Sequence, residues 1–323
     1  MRLDWFEAQP QIVQFETICG CNARCVFCCY PGLRRSRGKM DWALIERIIT
    51  QAGGARTLIP FLLGEPLLDD RMRDVLALCK ATQPKATTVL YSNMSRCDQA
   101  AIEWIVQDQN LDIICPSFYG PTPETYRELQ PPLDFHQVRS NIIRLIAERR
   151  RLQVPKPRVQ MNYILTDLTR PHLKRFVDYW RPLADTVEVV YHDTWHGEQP
   201  ERDSMKVLPP GPIPCSRLWE SLNIHQDGTA VACCIDHEQQ EKIGRLPEQS
   251  LLEIWHGEPL ARLRRLHLAG RHAEIPLCRD CTSWLSNPAW WTGFWIRAWY
   301  GFEWPRVRAV GRDGAGGVDV AER

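Results

Sequence analysis

The sequence of 323 residues has almost no surplus of charge of either sign, with 40 Lys and Arg against 39 Asp and Glu. Because non-specific nucleic-acid binding depends on a basic surface, this balance excludes it as the default function. The chain also lacks a run of about 18 apolar residues, the length that a membrane-spanning helix needs. Residues 1–10 include Asp4 and Glu7 and no apolar stretch, so we expect no secretory signal and a cytoplasmic protein.

Cysteine, in contrast, is abundant. The chain has 13 cysteines, and five of them lie between Cys19 and Cys29. A chain of this length has ample core-forming residues and does not depend on disulfides, and cytosolic thiols stay reduced. Clustered cysteines in such a protein more often bind metal than form disulfides, so the clusters need a chemical explanation.

The first 200 residues alternate β-rich runs with segments of helical apolar spacing. The helical segments include Trp42, Ile45, Ile48 and Ile49 behind a capping Asp41. This alternation predicts a parallel α/β sheet, with a site beyond the carboxyl ends of its strands. The six predicted strands lie within residues 12–17, 58–63, 87–92, 111–117, 159–165 and 187–192.

Five prolines between Pro200 and Pro214 mark a connector to a second unit. We predict three parts, residues 1–204, 205–288 and a Trp-rich tail of 289–323 with a disordered end. In the second unit, Asp227-Gly228 predicts a hairpin turn. Ser250 is a predicted helix cap, and Gly257 separates that helix from a second one.

The loop after the first strand contains Cys21, Cys25 and Cys28 with Cys-x3-Cys-x2-Cys spacing. Three thiolates on one loop can bind an iron–sulfur cluster or zinc. A structural zinc site usually has four protein ligands, whereas a centre with three leaves a position for a substrate or cofactor.

This spacing after a first strand strongly resembles the radical S-adenosylmethionine (SAM) enzymes, and Phe27 matches the aromatic that precedes the third cysteine. The resemblance implies a partial (β/α)6 barrel and a [4Fe-4S] cluster on the three cysteines, with SAM on the open iron. One electron then cleaves SAM to methionine and a 5′-deoxyadenosyl radical.

Further elements match the family at later strand ends. Gly64, Glu65 and Pro66 match most of its Gly-Gly-Glu-Pro element, although Leu63 replaces the first glycine. The resemblance implies that this element supports the SAM amino group. It also implies contacts with SAM or substrate from side chains that are otherwise ordinary polar strand ends, namely Ser92, Asn93, Ser117 and Asn162.

A second set of cysteines occupies the second unit, with one pair spaced Cys-x17-Cys and a later pair spaced Cys-x2-Cys. Four thiolates satisfy either a cluster or a zinc ion, and the spacing does not choose between them. The order of motifs looks like the SPASM or shorter twitch extension of radical SAM enzymes. With only four ligands available, we predict the one-cluster form, an α+β domain with an auxiliary [4Fe-4S] cluster on Cys215, Cys233, Cys278 and Cys281.

Other residues have alternative roles. Cys234, beside a predicted ligand, is either an inert neighbour or a hydrogen donor to a substrate radical. His192 and Asp193 end the sixth strand and are candidates for substrate binding, while His192 and His196 also have the spacing of a metal pair. The basic run Arg34–Gly38 is either a solvated loop or a docking site for a flavodoxin- or ferredoxin-type reductant.

We therefore expect an enzyme that oxidises or epimerises a small polar metabolite, a sugar or aminocyclitol, with the auxiliary cluster as electron relay. Modification of a ribosomal peptide is the alternative within the same class. A non-catalytic metal-binding protein is the alternative outside it, and Gly64, Glu65 and Pro66 argue against that because a scaffold needs no SAM contacts.

Overall fold

The computed structural model describes residues 8–204 and 214–283, and the backbone of Val310–Gly311. Most strands belong to one large sheet, and a separate ribbon of β2 (Ile18–Cys19) and β3 (Gly38–Lys39) flanks the cysteine-rich loop. The six predicted strands are confirmed, and all run parallel. In sheet order they are β1 (Ile12–Phe15), β4 (Thr57–Ile59), β5 (Thr87–Ser92), β6 (Ile113–Pro116), β7 (Arg158–Leu165) and β8 (Thr186–Tyr191).

Helices connect these strands in the predicted βα order. The Asp41 carboxylate caps the first of them by accepting a hydrogen bond from the Ala43 amide at 2.9 Å. After β8, the described chain continues as a loop to residue 204, so the expected sixth helix does not follow directly. The helices are α1 (Trp42–Gln51), α2 (Met72–Thr82), α3 (Gln99–Gln107), α4 (Pro123–Leu129), α5 (Phe135–Arg151) and α6 (Leu173–Trp180).

The second unit extends the same sheet. Its strand β9 (Ser221–Ile224) pairs in parallel with β1, and β10 (Thr229–Val231) and β11 (Lys242–Arg245) continue the sheet antiparallel. The predicted turn is confirmed, with Gly228 at φ +85°. The remaining helices are α7 (Arg217–Glu220), α8 (Leu251–Trp255), α9 (Glu258–Leu268) and α10 (Pro276–Arg279).

Short 3-10 helices lie at the ends of several loops, at Tyr30–Gly32, Pro66–Leu68, Arg170–His172 and His272–Glu274. The predicted cap of α8 is confirmed, because the Ser250 hydroxyl accepts from the Glu253 amide and the Glu253 carboxylate accepts from the Ser250 amide. The predicted break at Gly257 also lies between α8 and α9.

Alternation along the strands separates two faces of the sheet. Leu58, Leu90 and Ile114 face the helices and belong to the main hydrophobic core, while Val89 and Cys115 form a small apolar cluster on the other face. The helices therefore cover one face of the sheet. The opposite, inner face is left free for the residues of the candidate site.

Two expectations concern the C-terminal tail and membrane-spanning helices. The tail 289–323 lies outside the described residues, apart from β12 (Val310–Gly311), whose backbone pairs antiparallel with β8. No helix of the described ranges is long and apolar enough to cross a membrane.

Arg35 of the basic run Arg34–Gly38 is not solvated, because its guanidinium is buried and donates a hydrogen bond to Glu16 Oε1 at 2.7 Å.

Candidate active site

The loop that carries Cys21, Cys25 and Cys28 is fixed against the end of α4. The amide of Arg24 donates to the Pro131 carbonyl at 2.6 Å, and the amide of Val26 donates to the Leu129 carbonyl at 3.0 Å. Backbone amides also point at two of the sulfur atoms, since Ala23 N lies 3.4 Å from Cys21 Sγ and Tyr30 N lies 3.4 Å from Cys28 Sγ. Such N–H groups favour thiolates over thiols.

Burial and mutual repulsion work against ionisation of these cysteines in the absence of a metal. Burial raises the pKa of Cys21 to about 11, and the charges of Glu65 and Cys28 add to that effect. The pKa of Cys25 is also raised, by burial first and then by the two neighbouring thiolates. A bound metal centre replaces the protons and balances the thiolate charge.

The spacing of the sulfur atoms bears on how a metal centre could be held. Among the described residues, no set of three cysteine sulfur atoms lies within 4.8 Å of one another. Thiolates on one zinc ion are about 3.8 Å apart, because Zn–S bonds of about 2.3 Å are arranged as a tetrahedron. In a multi-iron cluster each thiolate binds a different iron, so the cysteines need not approach one another as closely as on one zinc ion.

Gly64 is tied to the start of the cysteine loop. Its φ of +114° is in the left-handed region, and a Cβ at this position would lie 2.5 Å from the Gly20 carbonyl oxygen. The next amide, of Glu65, donates to that same oxygen at 2.7 Å. Only glycine allows this close approach, so residue 64 fixes the predicted SAM-binding element against the cluster loop.

The Glu65 side chain is fully buried and organises the next strand end. Its carboxylate accepts from Ser92 Oγ at 2.7 Å, from the Asn93 amide at 2.6 Å and from the Leu67 amide at 3.1 Å. Burial raises the pKa of Glu65 to about 7, against the opposing effect of these hydrogen bonds. Pro66 then begins the short helix at Pro66–Leu68. The predicted residues Glu65, Ser92 and Asn93 thus form one network.

The predicted residues on β6 and β7 also meet. Ser117 and Asn162 are paired across the two strands, beyond the end of the regular ladder. The Ser117 carbonyl accepts from Gln130 Nε2 at 2.8 Å, and the Tyr119 hydroxyl bonds to the Ser117 side chain. The Phe27 ring packs edge-on against Tyr119 with centroids 5.3 Å apart. Ser117 therefore follows the end of β6 near the cysteine loop, whereas Asn162 lies within β7 and not at its end as expected.

His192 and Asp193 lie at the end of β8 and connect the loops around them. His192 is buried, with Nδ1 3.3 Å from Glu201 Oε1 and its ring 6.4 Å from that of Phe27. Asp193 accepts from the Trp195 amide at 2.8 Å and from the Ser283 hydroxyl. Both Asp193 oxygens thus have protein partners, and the side chain joins the barrel loop to the second unit.

Four of the five cysteines of the second unit, those predicted as ligands, lie close together. One cavity is lined by all four, Cys215 and Cys233 from either side of the hairpin and the Cys-x2-Cys pair from around α10. Burial raises the pKa of Cys281 to about 11, and the charge of Cys215 adds to it. The set supplies four sulfur ligands and fits a fully ligated cluster.

A histidine that the sequence did not indicate lies in the same cavity. The Cys215 amide donates to His267 Nδ1 at 3.3 Å, so Nδ1 is the unprotonated nitrogen of this ring. His267 Nε2 therefore carries the proton, and it lies 3.4 Å from Cys278 Sγ. Burial lowers the pKa of His267 to about 4, which keeps the ring neutral. His267 is thus a neutral donor to a predicted cluster ligand.

Cys234 has a close cationic partner that the sequence analysis also missed. Arg217 Nη1 donates to Cys234 Sγ at 2.5 Å. The hydrogen bond with Cys233 and the Arg217 charge lower the pKa of Cys234. Arg217 lies two residues after Cys215 in the sequence. A cation so close to a predicted ligand is the sequence feature that could have indicated its role.

Two residues on the inner face of the sheet were not predicted either. Glu188, on β8, accepts from Gln160 Nε2 at 2.9 Å, and burial raises its pKa. The pKa of Tyr91, on β5, is raised by burial first and then by the charges of Cys115 and Glu188. Both residues lie on strands whose ends carry predicted site residues. The charges of Arg217 and Cys234 also influence the pKa of Tyr91.

Family models match most of the chain. The Radical SAM superfamily model matches residues 15–179, and the model of an iron–sulfur cluster-binding domain, SPASM, matches residues 215–282. The fold and site thus define a SAM-dependent iron–sulfur enzyme with an auxiliary cluster domain. The chain belongs to the radical SAM superfamily. SAM and a [4Fe-4S] cluster are its cofactors, and the SPASM domain adds a further iron–sulfur site.

Solved structures with the same fold have low sequence identity to the chain. BtrN in complex with AdoMet and 2-DOIA has a TM-score of 0.59 and 16% identity, and covers 84% of this chain and 93% of that chain. Streptococcus suis SuiB bound to S-adenosylmethionine has a TM-score of 0.66 and 15% identity, covering 80% and 68%. Native anSMEcpe with AdoMet and Cp18Cys peptide has a TM-score of 0.61 and 13% identity, covering 84% and 88%. No curated protein sequence matches the chain significantly.

Proposed function

We propose that the chain oxidises an alcohol carbon of a small polar metabolite, of the sugar or aminocyclitol class. The observation that carries this proposal is the single cavity in which Cys215, Cys233, Cys278 and Cys281 meet. Four thiolates complete the coordination of a [4Fe-4S] cluster and leave no position for a substrate. An enclosed cluster of that kind is suited to accepting an electron.

The electron balance of the proposed reaction requires such an acceptor. When bound, the cofactors supply a 5′-deoxyadenosyl radical that removes hydrogen from the alcohol carbon and an auxiliary cluster that accepts the electron left on the substrate. The hydroxyl proton passes to a protein base. Glu188 is our candidate for this base, because it is a half-buried carboxylate on the inner face with a pKa raised by burial.

The position of Cys234 favours oxidation over epimerisation. Epimerisation requires a thiol that returns a hydrogen atom to the substrate radical. Arg217 Nη1 lies 2.5 Å from Cys234 Sγ, and a guanidinium so close stabilises the thiolate, which has no S–H hydrogen to give. The contact also gives Cys234 a structural role beside the predicted ligand Cys233.

The 2-DOIA in the BtrN structure supports a small-molecule substrate. The chain spans 93% of BtrN, whose structure contains AdoMet and 2-DOIA, and 88% of anSMEcpe, whose structure contains AdoMet and Cp18Cys peptide, so coverage does not separate the two substrate classes. A peptide substrate is the second candidate, favoured by the peptides in the SuiB and anSMEcpe structures. In that case Glu188 and Tyr91 would contact a peptide side chain in place of a metabolite.

The experiment compares these substrates directly. Anaerobically reconstituted, reduced enzyme is incubated with SAM and either a panel of carbon-deuterated cyclitols and aminosugars or a panel of peptides. We expect deuterium in 5′-deoxyadenosine and a ketone product lacking two hydrogens with a member of the first panel. Deuterium transfer from a peptide alone would replace the metabolite proposal by the second candidate, and an epimer without ketone would refute oxidation.

A further inference from the structure

A group of metal-binding side chains lies outside both cysteine sets. His196 and Glu198 belong to the loop after β8, and His237 belongs to the loop after β10. One ligand atom from each residue lies within 4.8 Å of the other two. The group therefore bridges the barrel loop and the second unit, and neither predicted cluster uses any of its members.

The orientation of His237 is typical of a metal ligand. Its Nδ1 lies 3.2 Å from the Ile235 carbonyl oxygen, which can only accept, so Nδ1 carries a proton. The other nitrogen, Nε2, faces Glu198 Oε2 at 2.8 Å. Metal-binding histidines commonly donate one N–H to a backbone carbonyl, which fixes the ring and directs the second nitrogen at the ion.

Hydrogen bonds within the described chain do not account for the buried position of the His196 ring nitrogen Nε2. His196 Nε2 is buried and has no hydrogen-bond partner among the described residues. Its ring is stacked on that of His237, with centroids 5.3 Å apart and an interplanar angle of 22°. An ion pair between Glu198 and His237 satisfies two members of the group but leaves the His196 nitrogen without a partner. A cation held by all three satisfies each of them.

The surrounding charges favour a cation. Besides Glu198, the carboxylates of Asp193 and Asp236 are close enough to influence His196 electrostatically. Arg35 is the facing cation, and its guanidinium donates to the His237 carbonyl at 2.5 Å, so its charge is turned to the backbone and to Glu16.

We propose that His196, Glu198 and His237 form a binding site for a divalent transition metal, with Zn²⁺ as the best match. Two imidazoles and one carboxylate suit zinc, with Zn–N and Zn–O distances of about 2.0–2.2 Å and a water as the fourth ligand. Glu198 is exposed, which provides a path for the ion and that water. The bound metal joins the loop after the last barrel strand to the auxiliary domain.

The test uses the full chain with its iron–sulfur clusters reconstituted. The protein is incubated with zinc sulfate under argon and desalted, and its zinc content and zinc K-edge absorption fine structure are then measured. We expect about one zinc per chain, with nitrogen and oxygen but no sulfur in the first shell. Sulfur in that shell would assign the zinc to cysteines and overturn the proposal, as would the absence of bound zinc.

Variants separate this site from nonspecific binding. His196→Gln and Glu198→Gln are each expected to weaken zinc binding at least about 100-fold, with unchanged iron content as evidence of folding. His136→Gln, at an exposed histidine on α5, is the matched control and should bind zinc as the wild type does. Equal zinc affinity in all three variants would overturn the proposal. The readout does not depend on SAM cleavage, so it is independent of the proposed function.

Discussion

His267 Nε2 lies 3.4 Å from Cys278 Sγ, and the Cys215 amide on the other side of the ring fixes which nitrogen carries the proton. The donor therefore points at a predicted cluster ligand at every pH above the low pKa of this ring, about 4. Hydrogen bonds to cluster sulfur atoms stabilise the more negative, reduced state. His267 is thus a hydrogen-bond donor to the predicted auxiliary cluster.

The first prediction concerns the potential of the auxiliary cluster. His267→Leu removes the donor and should lower the midpoint potential by about 40 mV, because a hydrogen bond contributes about 1 kcal/mol and one electron relates 59 mV to a tenfold change. His267→Gln keeps an amide donor and should recover part of the loss. The measurement is a redox titration followed by electron paramagnetic resonance.

His136→Gln is the control for that titration, because this exposed histidine lies on α5 away from both cysteine sets. An unchanged potential in His267→Leu would show that the contact with Cys278 does not influence the cluster. Equal shifts in the Leu and Gln variants would point to altered packing in place of a lost hydrogen bond.

A second prediction concerns Gly64. Gly64→Ala places a methyl group 2.5 Å from the Gly20 carbonyl in a left-handed conformation, so the loop must move away from the cysteines. We expect SAM affinity to fall at least about tenfold, equivalent to about 1.4 kcal/mol, the lower end of the strain at such a residue. Gly32→Ala is the matched control, because a Cβ there meets nothing within 4 Å. Equal SAM affinities by equilibrium dialysis would contradict this role.

The third prediction is a pH dependence that originates at Glu65. Its pKa in the folded protein is raised from 4.5 to about 7, so the stabilisation from its proton is complete below pH 4.5 and is lost as pH rises through 7. The difference of about 2.5 between the two pKa values corresponds to about 3 kcal/mol in the free energy of unfolding. Glu65→Gln does not titrate, and its thermal midpoint should change less between pH 6 and 8.

Glu124→Gln, at an exposed carboxylate on α4, is the control for that comparison and should keep the wild-type pH dependence. The assignment to Glu65 fails if the Gln variant and the wild type lose stability in parallel over this range. Thermal unfolding is followed by circular dichroism under anaerobic conditions, with both clusters present.

A fourth prediction concerns Cys234. If the chain oxidises its substrate, Cys234→Ala should retain ketone formation, because no hydrogen atom is returned to the substrate. If the chain is an epimerase, the same change should abolish epimer formation and leave the substrate radical unquenched. Cys97→Ala, at a buried cysteine of the main core, controls for loss of a thiol in general. Product analysis by mass spectrometry distinguishes the two results.

The parts of the site that depend on short stretches of sequence were predictable. The spacing of Cys21, Cys25 and Cys28 identified the cluster loop, and the caps Asp41 and Ser250 were recognisable because a cap acts on amides within three residues. The strand runs were also clear, since buried parallel strands are apolar over their length.

The remaining parts depend on contacts between distant segments. Glu65 lies 28 residues from Asn93, and His267 lies 52 residues from Cys215, so nothing local marks either pair. Arg35 belongs to a run that resembled a solvated loop, yet it is buried against Glu16 and the second unit. The Glu65 pair depends on how β4 and β5 lie side by side, and the Arg35 contacts depend on how β9 docks against β1, so neither could be predicted from nearby sequence.

The most direct test of the whole account is SAM cleavage by matched cysteine variants. Reconstituted, dithionite-reduced wild type and a Cys278→Ala variant should both form 5′-deoxyadenosine, with the variant unable to oxidise substrate, whereas the Cys21, Cys25, Cys28 triple alanine variant should form none. That triple variant should still retain about four irons, held by the other four cysteines. A wild-type chain that has its full iron content but forms no 5′-deoxyadenosine would contradict the account.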